Sequence, residues 1–323
     1  MNLENLRGKF MLGLGLGMAV VFVLGVYADF PKLARTISGF DWRLLPAILG
    51  LTLLNYGLRF VKWQYFLRVL DAPPLPTGRS LQIWLAGLSM VVTPGKVGEW
   101  LKSYLLREEN GMPISASAPI VLGERISDAL AMALLASIGL IAYGYGWQTL
   151  VAAAFVGLLA VGLSQNRPFA LWTIGMAAKA PFVARRVHEL ETFYESTKQL
   201  FHWRSLVLAV LIGAVSWAAE GVAFFLVLVA LDVPASTTLL IQAVFILSTA
   251  TLIGGISMMP GGLAVAELSI AGMLTRIAGT PEATAAAATI IIRFATLWFG
   301  VAIGLVALGF VSRRLQATSQ LMK

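Results

Sequence analysis

The chain has 323 residues, of which 58% are hydrophobic and only 12% charged, with a formal net charge of +8 and a mean hydropathy of +0.82. A soluble domain carries about 25% charged residues, so a soluble enzyme fold is excluded and the chain reads as an all-α polytopic membrane protein. The lack of cysteine excludes disulfides, thiolate metal sites and a cysteine nucleophile, and the positive balance reads as basic cytoplasmic loops rather than nucleic-acid binding.

Residues 11–29 form a first apolar span. Arg7 and Lys9 ahead of it resemble a signal-peptide n-region, with Val26-Tyr27-Ala28 as a weak cleavage site. Further spans follow, so a retained anchor is expected. Residues 30–41 read as a short interfacial piece. A second span covers 42–70 and carries Arg59 and Lys62, three residues apart on one helix face, before a proline-rich turn at 71–76. Two half-length segments come next, 78–93 and 97–110, split at Pro94-Gly95. Each would be ~21–24 Å long as helix, short of the ~30 Å hydrocarbon core. They are expected to form a re-entrant hairpin whose tip is buried in protein or lines a wet cavity. Spans at 113–143 and 147–163 follow. Residues 165–203 are polar, include both histidines (His188 and His202), and are expected to form a cytoplasmic amphipathic segment. The pattern then restarts: a span at 205–231, a second split pair at 237–256 and 263–278, and a last span at 282–311.

The restart is a repeat. Glu99, Gly111, Pro113 and Arg125 recur as Glu267, Gly279, Pro281 and Arg293, each shifted by 168 residues. A Pro-Gly pair precedes each copy, Pro94-Gly95 and Pro260-Gly261. Charged pairs kept in apolar surroundings point to a duplicated membrane unit with a polar centre. A single membrane domain, 1–323, is therefore expected, with repeat unit 1 at 42–143 and repeat unit 2 at 205–311. The positive-inside rule puts both termini in the cytoplasm of a cell inner membrane, with Arg68, Arg79, Lys102, Arg107 and the basic residues of 167–204 on that side. The two units are then inverted, and the fold has about six full spans plus two re-entrant hairpins.

Helix rise sets the depth of the charges. Glu99 to Gly111 and Pro113 to Arg125 are 12 residues each, about 18 Å of helix. Both charges therefore reach just past the middle of the bilayer from one face, and Glu267 and Arg293 do so from the other. An unpaired arginine there costs at least ~2.5–3.5 kcal/mol, so pairing or water is required. Helix starts after each Pro-Gly offer free N–H groups and a positive dipole end. Gly95 and Gly261 mark those starts, Lys96 adds charge in the first copy, and Gly262 allows close backbone approach in the second. With Arg125 and Arg293 they make a candidate phosphate cradle. A competing reading is a purely structural quartet, in which Glu99 and Glu267 only satisfy helix starts and arginines. Glu124 and Asp128 flank Arg125 and either support the site or its proton coupling, or only balance the charge of Arg125. Arg59 and Lys62 either guide an anionic headgroup or snorkel to the surface. Glu220, alone in mid-span, either carries a proton or pairs with an arginine. Tryptophans and phenylalanines at span ends read as interfacial anchors, and Gly13, Gly15 and Gly17 as helix packing. No metal site and no cofactor are expected.

The stretch from Thr93 to Arg107, the run Gly123-Glu-Arg-Ile-Ser-Asp128 and the run Pro260-Gly-Gly-Leu-Ala-Val-Ala-Glu267 resemble the lysylphosphatidylglycerol-synthase transmembrane family. It is also called the flippase-like domain family and includes the membrane half of multiple peptide resistance factor. The resemblance covers roughly 10–315. It implies a polytopic protein that moves aminoacylated phospholipids, glycolipids or polyprenyl-phosphate-linked sugars between leaflets, and it marks Glu99, Glu124, Arg125, Asp128, Glu267 and Arg293. One departure is Ala264, where the pattern has glycine. Another is that no soluble aminoacyl-transfer domain follows the last span, so a transporter rather than an enzyme is expected. The expected function is translocation of an anionic, aminoacylated or polyprenyl-phosphate-linked lipid through a midplane Glu/Arg cavity. The partner is a membrane phospholipid or polyprenyl-phosphate lipid, with a separate lipid-modifying enzyme and further copies of the chain as candidates. The alternatives are a membrane-embedded transferase on a polyprenyl-phosphate lipid, which the scattered aspartates disfavour, and a non-transporting scaffold.

Overall fold

The computed structural model describes residues 3–93, 98–141, 147–180 and 184–321. No strand occurs among the described residues. Helices satisfy their backbone amides within one segment, as lipid requires. In chain order they are α1 (Leu3–Ala28), α2 (Phe30–Ser38), a 3₁₀ turn (Trp42–Leu44) leading into α3 (Leu45–Val69), α4 (Thr77–Leu88), α5 (Leu101–Asn110), α6 (Ile114–Ile141), α7 (Trp147–Gln165), α8 (Arg167–Ala177) and α9 (Val187–Leu200). Then come α10 (Trp203–Ala230), α11 (Thr237–Ile256), a 3₁₀ turn (Pro260–Gly262), α12 (Val265–Ile277), α13 (Glu282–Arg293), a π-helical segment (Phe294–Trp298) and α14 (Phe299–Leu321).

Five stretches among the described residues are long and apolar enough to cross a membrane: Met11–Ala28, Trp42–Val69, Trp203–Ala230, Thr237–Ile256 and Glu282–Leu315. Helix α6 is 28 residues long, about 42 Å, and differs from these in carrying Glu124, Arg125 and Asp128 within it.

The repeat is visible in the turns. Gly111 (φ 76°) ends α5 and Gly279 (φ 65°) follows α12, both in the left-handed region that glycine enters without steric cost. A proline comes two residues after each, at 113 and 281, and the next helix starts there. The two first arms differ. Helix α4 has 12 residues and α11 has 20, about 18 Å against 30 Å, so α11 alone has the length of a full span. Past the end of α4 the Ser89 and Thr93 hydroxyls donate to the carbonyls of Ala86 (2.6 Å) and Met90 (2.7 Å). At the end of α11 Ser257 Oγ donates to Gly254 O at 2.7 Å.

The two halves pack by exchange. Helix α3 lies along α10, α4 of the first half lies against α14 of the second, and α11 of the second lies against α6 of the first. Small residues permit the close approaches that drive helix association in lipid. Ala285, Ala286, Ala287 and Ala288 of α13 are fully buried, and α13 contacts α1, α2, α10 and α12. At Gly304 of α14, a side chain would fall 2.9 Å from the Leu85 carbonyl of α4. The outer faces of α1 and α7 expose Phe22, Val26, Phe155 and Leu158, an apolar surface suited to lipid.

Candidate functional site

Each arginine of the repeat meets its own glutamate. Arg125 Nε on α6 donates to Glu99 Oε2 at 2.8 Å, and its Nη2 reaches the other carboxylate oxygen. Arg293, the last residue of α13, donates from Nε to Glu267 Oε1 at 2.6 Å and from Nη2 to the Gly261 carbonyl at 2.7 Å. Both glutamates are buried. The separation of 26 residues is the same in the two copies. The local cause is the hairpin: a helix, a glycine–proline turn and a second helix bring residues twelve before and twelve after the turn to the same depth.

The neighbours of Arg125 do something else. Glu124 and Asp128 do not balance Arg125 by direct contact. Glu124 pairs with Lys102, and Trp84 Nε1 donates to it at 3.4 Å. Asp128 pairs with Lys62 and, at 3.3 Å, with Arg59. Lys62 also donates to Ser127 Oγ at 3.1 Å and its side chain is 0% exposed. Lys62 therefore does not snorkel: its ammonium is buried inside the bundle on Asp128 and Ser127. Lys102, expected among cytoplasmic charges, is instead buried, with its Nζ 4.9 Å from the centre of the Trp63 ring. Arg59 lies 5.4 Å over Trp217. Trp63, Trp84 and Trp217 are buried and so belong to the site and not to an interfacial belt.

These groups surround a cavity of about 110 Å³, lined among others by Tyr56, Arg59, Arg125, Trp217, Glu220 and Arg293. At ~30 Å³ per water it has room for three or four. A second space of about 20 Å³ is lined by Arg59, Glu99, Lys102, Glu124 and Arg125. Three guanidinium groups thus share one cavity, whose other walls mix apolar side chains such as Leu88, Val91, Leu247 and Leu297 with the hydroxyls of Thr251 and Thr296. Glu220 is 5% exposed and makes no hydrogen bond or ion pair among the described residues. The indole N–H of Trp217 is likewise buried without a partner.

The loop tips complete the floor. Gly261 N–H donates to Val91 O at 3.1 Å, joining the two halves through their main chains. Gly262 N–H donates to Met259 O and Leu263 N–H to Pro260 O, each at 2.9 Å. The amides of Gly261 and Gly262 are therefore already committed, and they do not form the open cradle that the sequence suggests. Both glycines have positive φ, 61° and 68°, and a Cβ on Gly262 would stand 3.3 Å from Gly254 of α11. Ala264 also has positive φ, 67°, at the position where glycine was expected. Gly95 and Lys96 lie outside the described residues. Beside Arg293 the helix widens into the π segment, a form concentrated at functional sites, and the Tyr56 hydroxyl donates to the carbonyl of Thr296 there.

With this geometry in place, similarity to known proteins can be stated. The profile described as lysylphosphatidylglycerol synthase TM region matches residues 10–304. The chain belongs to that family. It is also similar to a UPF0104 membrane protein from Methanothermobacter thermautotrophicus, at 24% identity with 89% of each chain covered. Family membership and the apolar helices place the chain in a membrane. In this family member the residues that sequence reasoning missed are Lys102, Tyr56, Trp63, Trp84 and Trp217. A lysine three residues after the repeated glutamate was the available signal for Lys102.

Proposed function

We propose that the chain is a lipid translocase that moves a phosphate-bearing lipid headgroup between leaflets through the central cavity. The observation that carries this reading is the convergence of Arg59, Arg125 and Arg293 on one cavity inside an otherwise apolar helix bundle. Arginine suits the task because its planar fork matches phosphate oxygens and holds its charge at any ordinary pH. A cavity of about 110 Å³ suits a phosphate group. A larger headgroup requires the helices to part, while acyl or prenyl tails stay in the bilayer.

In this reading α4–α5 and α11–α12 are hairpins that enter from opposite faces, and the full complement is about six spans with both termini in the cytoplasm. The exchanged packing of α4 on α14 and α11 on α6 and the paired left-handed glycine turns support an inverted repeat. Inverted repeats meeting at a midplane site are a recurrent transporter plan. The action is transport and not lipid synthesis.

The test is a leaflet-translocation assay in proteoliposomes containing fluorescent anionic, aminoacylated and polyprenyl-phosphate lipids. Wild type is compared with Arg125→Ala and Arg293→Ala, with Arg→Lys variants as folding controls. Flipping of one lipid class that disappears in both alanine variants, with native thermal unfolding, is the expected result. Equal flipping in all variants, or none of any lipid by wild type, would sink the reading and favour a transferase or scaffold role.

A further inference from the structure

The charges around the cavity leave one carboxylate over. Among the described residues, five buried or half-buried cations meet there: Arg59, Lys62, Lys102, Arg125 and Arg293. Four carboxylates are bonded to them: Glu99 to Arg125, Glu267 to Arg293, Glu124 to Lys102, and Asp128 to Arg59 and Lys62 together. One positive charge is therefore uncompensated by direct contact, because Arg59 and Lys62 share a single aspartate. Glu220 is the remaining anion. It lines the same cavity, is nine-tenths buried and, among the described residues, makes no hydrogen bond or salt bridge to any of the cations, although Arg59 and Arg293 lie near enough to attract it.

A monoanionic phosphodiester entering the cavity would supply the same missing negative charge. Among the described residues only one net positive charge is left for an anion, and two like charges a few ångströms apart inside a helix bundle repel more strongly than in bulk water. We infer that Glu220 and the lipid phosphate are alternative counter-anions, so that headgroup binding is coupled to uptake of one proton on Glu220. The inference rests on the translocase reading and deepens it: the substrate carries a net single negative charge at its phosphate, and its passage moves a proton with it. No bond other than O–H on the Glu220 carboxyl forms or breaks.

The groups that face Glu220 can be enumerated by element. From α3 come Tyr56 and Arg59, from α6 Arg125 and Asp128, from α13 Arg293, with Glu267 of α12 behind it. Helix α11 contributes no titratable side chain along Thr237–Ile256. Helix α9 meets α10 at its start, and Glu220 is 17 residues further along, about 26 Å away. Arg59, Arg125 and Arg293 stay charged throughout, and Asp128 and Glu267 are each already bonded to a cation. Glu220 is thus the group free to change its charge.

The sign follows from linkage. A bound anion favours protonated Glu220. Affinity is then full below the pKa of the empty site and falls by up to about tenfold per pH unit above it. The experiment is isothermal titration of the detergent-purified chain with dihexanoylphosphatidylglycerol across a pH series, in two buffers of different ionisation enthalpy. The expected result is uptake of about one proton per lipid bound by wild type at pH values above the pKa of empty Glu220. Glu220→Gln, which keeps the shape, should take up none and bind with pH-independent affinity. Binding with no proton uptake at any pH by wild type, or the same uptake by Glu220→Gln, would overturn the coupling and leave the translocase reading standing. No binding of the anionic lipid by either form would instead remove the translocase reading itself. The wild-type proton count needs no variant, so a misfolded Glu220→Gln would not protect the inference.

Discussion

Replacing Asp128 by Asn is the most searching test of how the site is held together. Asp128 is the sole carboxylate bonded to Lys62, whose side chain is 0% exposed, and it also bonds Arg59, whose side chain is 16% exposed. The amide keeps the shape and loses the charge. Lys62 then keeps only the Ser127 hydroxyl at 3.1 Å, which can accept its proton but cannot neutralise it. Breaking a buried pair by removing one partner costs about 3–5 kcal/mol. The expected destabilisation is therefore about 3 kcal/mol. Lys62→Met should cost less, roughly 1.5–3 kcal/mol for one charged hydrogen bond, because Asp128 keeps Arg59. The double variant removes the sealed cation with its anion and should recover about 1 kcal/mol or more of the summed losses, within the range seen for residues in contact. Reversible unfolding in mixed detergent–SDS micelles measures all three. A D128N protein within about 0.5 kcal/mol of wild type, or strictly additive single effects, would refute the claim that this triad is a buried, mutually compensating unit.

Arg293→Lys should fold but translocate about tenfold more slowly, since one ammonium cannot hold Glu267 and the Gly261 carbonyl in the forked geometry now used; initial flipping rates in proteoliposomes read this. Gly304→Ala should destabilise by about 1–3 kcal/mol, because the new methyl meets backbone at Leu85 and Ser89 that cannot swing aside; the same unfolding assay applies. Ala264→Gly should raise stability by about 0.5–1 kcal/mol by relieving a non-glycine positive φ, and an unchanged or lowered midpoint would show that the strain is absent.

Much of this architecture is written in the chain at the level of spacing. Helix lengths follow from apolar runs ended by proline and glycine. The Glu99–Arg125 and Glu267–Arg293 pairs follow from counting twelve residues on either side of a turn, because a hairpin fixes relative depth. What spacing does not fix is rotation between helices that are distant in sequence. Lys62 and Asp128 are 66 residues apart, and nothing local to either says that α3 and α6 face each other there. Lys102 misled for the same reason, since a lysine near a turn reads as a surface charge until the opposite helix is seen to present Glu124. Tyr56 and Trp217 escaped notice because aromatic residues in apolar helices are ordinary packing, and only the cavity distinguishes them. The π segment after Arg293, where the Tyr56 hydroxyl reaches the Thr296 carbonyl from another helix, has no sequence signature.

The junction between Val91 and Gly261 has a bearing on how such a protein changes over generations. It is made by peptide groups on both sides, so, proline at 261 apart, no exchange of side chain deletes either the donor or the acceptor. The two halves can diverge at every neighbouring position and still be stitched at that point. The sole substitution that removes the donor is proline at 261, which lacks the N–H, while any other residue there meets the cost of a left-handed φ of 61°. A chain whose halves are joined in this way inherits its seam from the polymer itself, and natural variation is filtered at the seam by backbone conformation before chemistry is consulted.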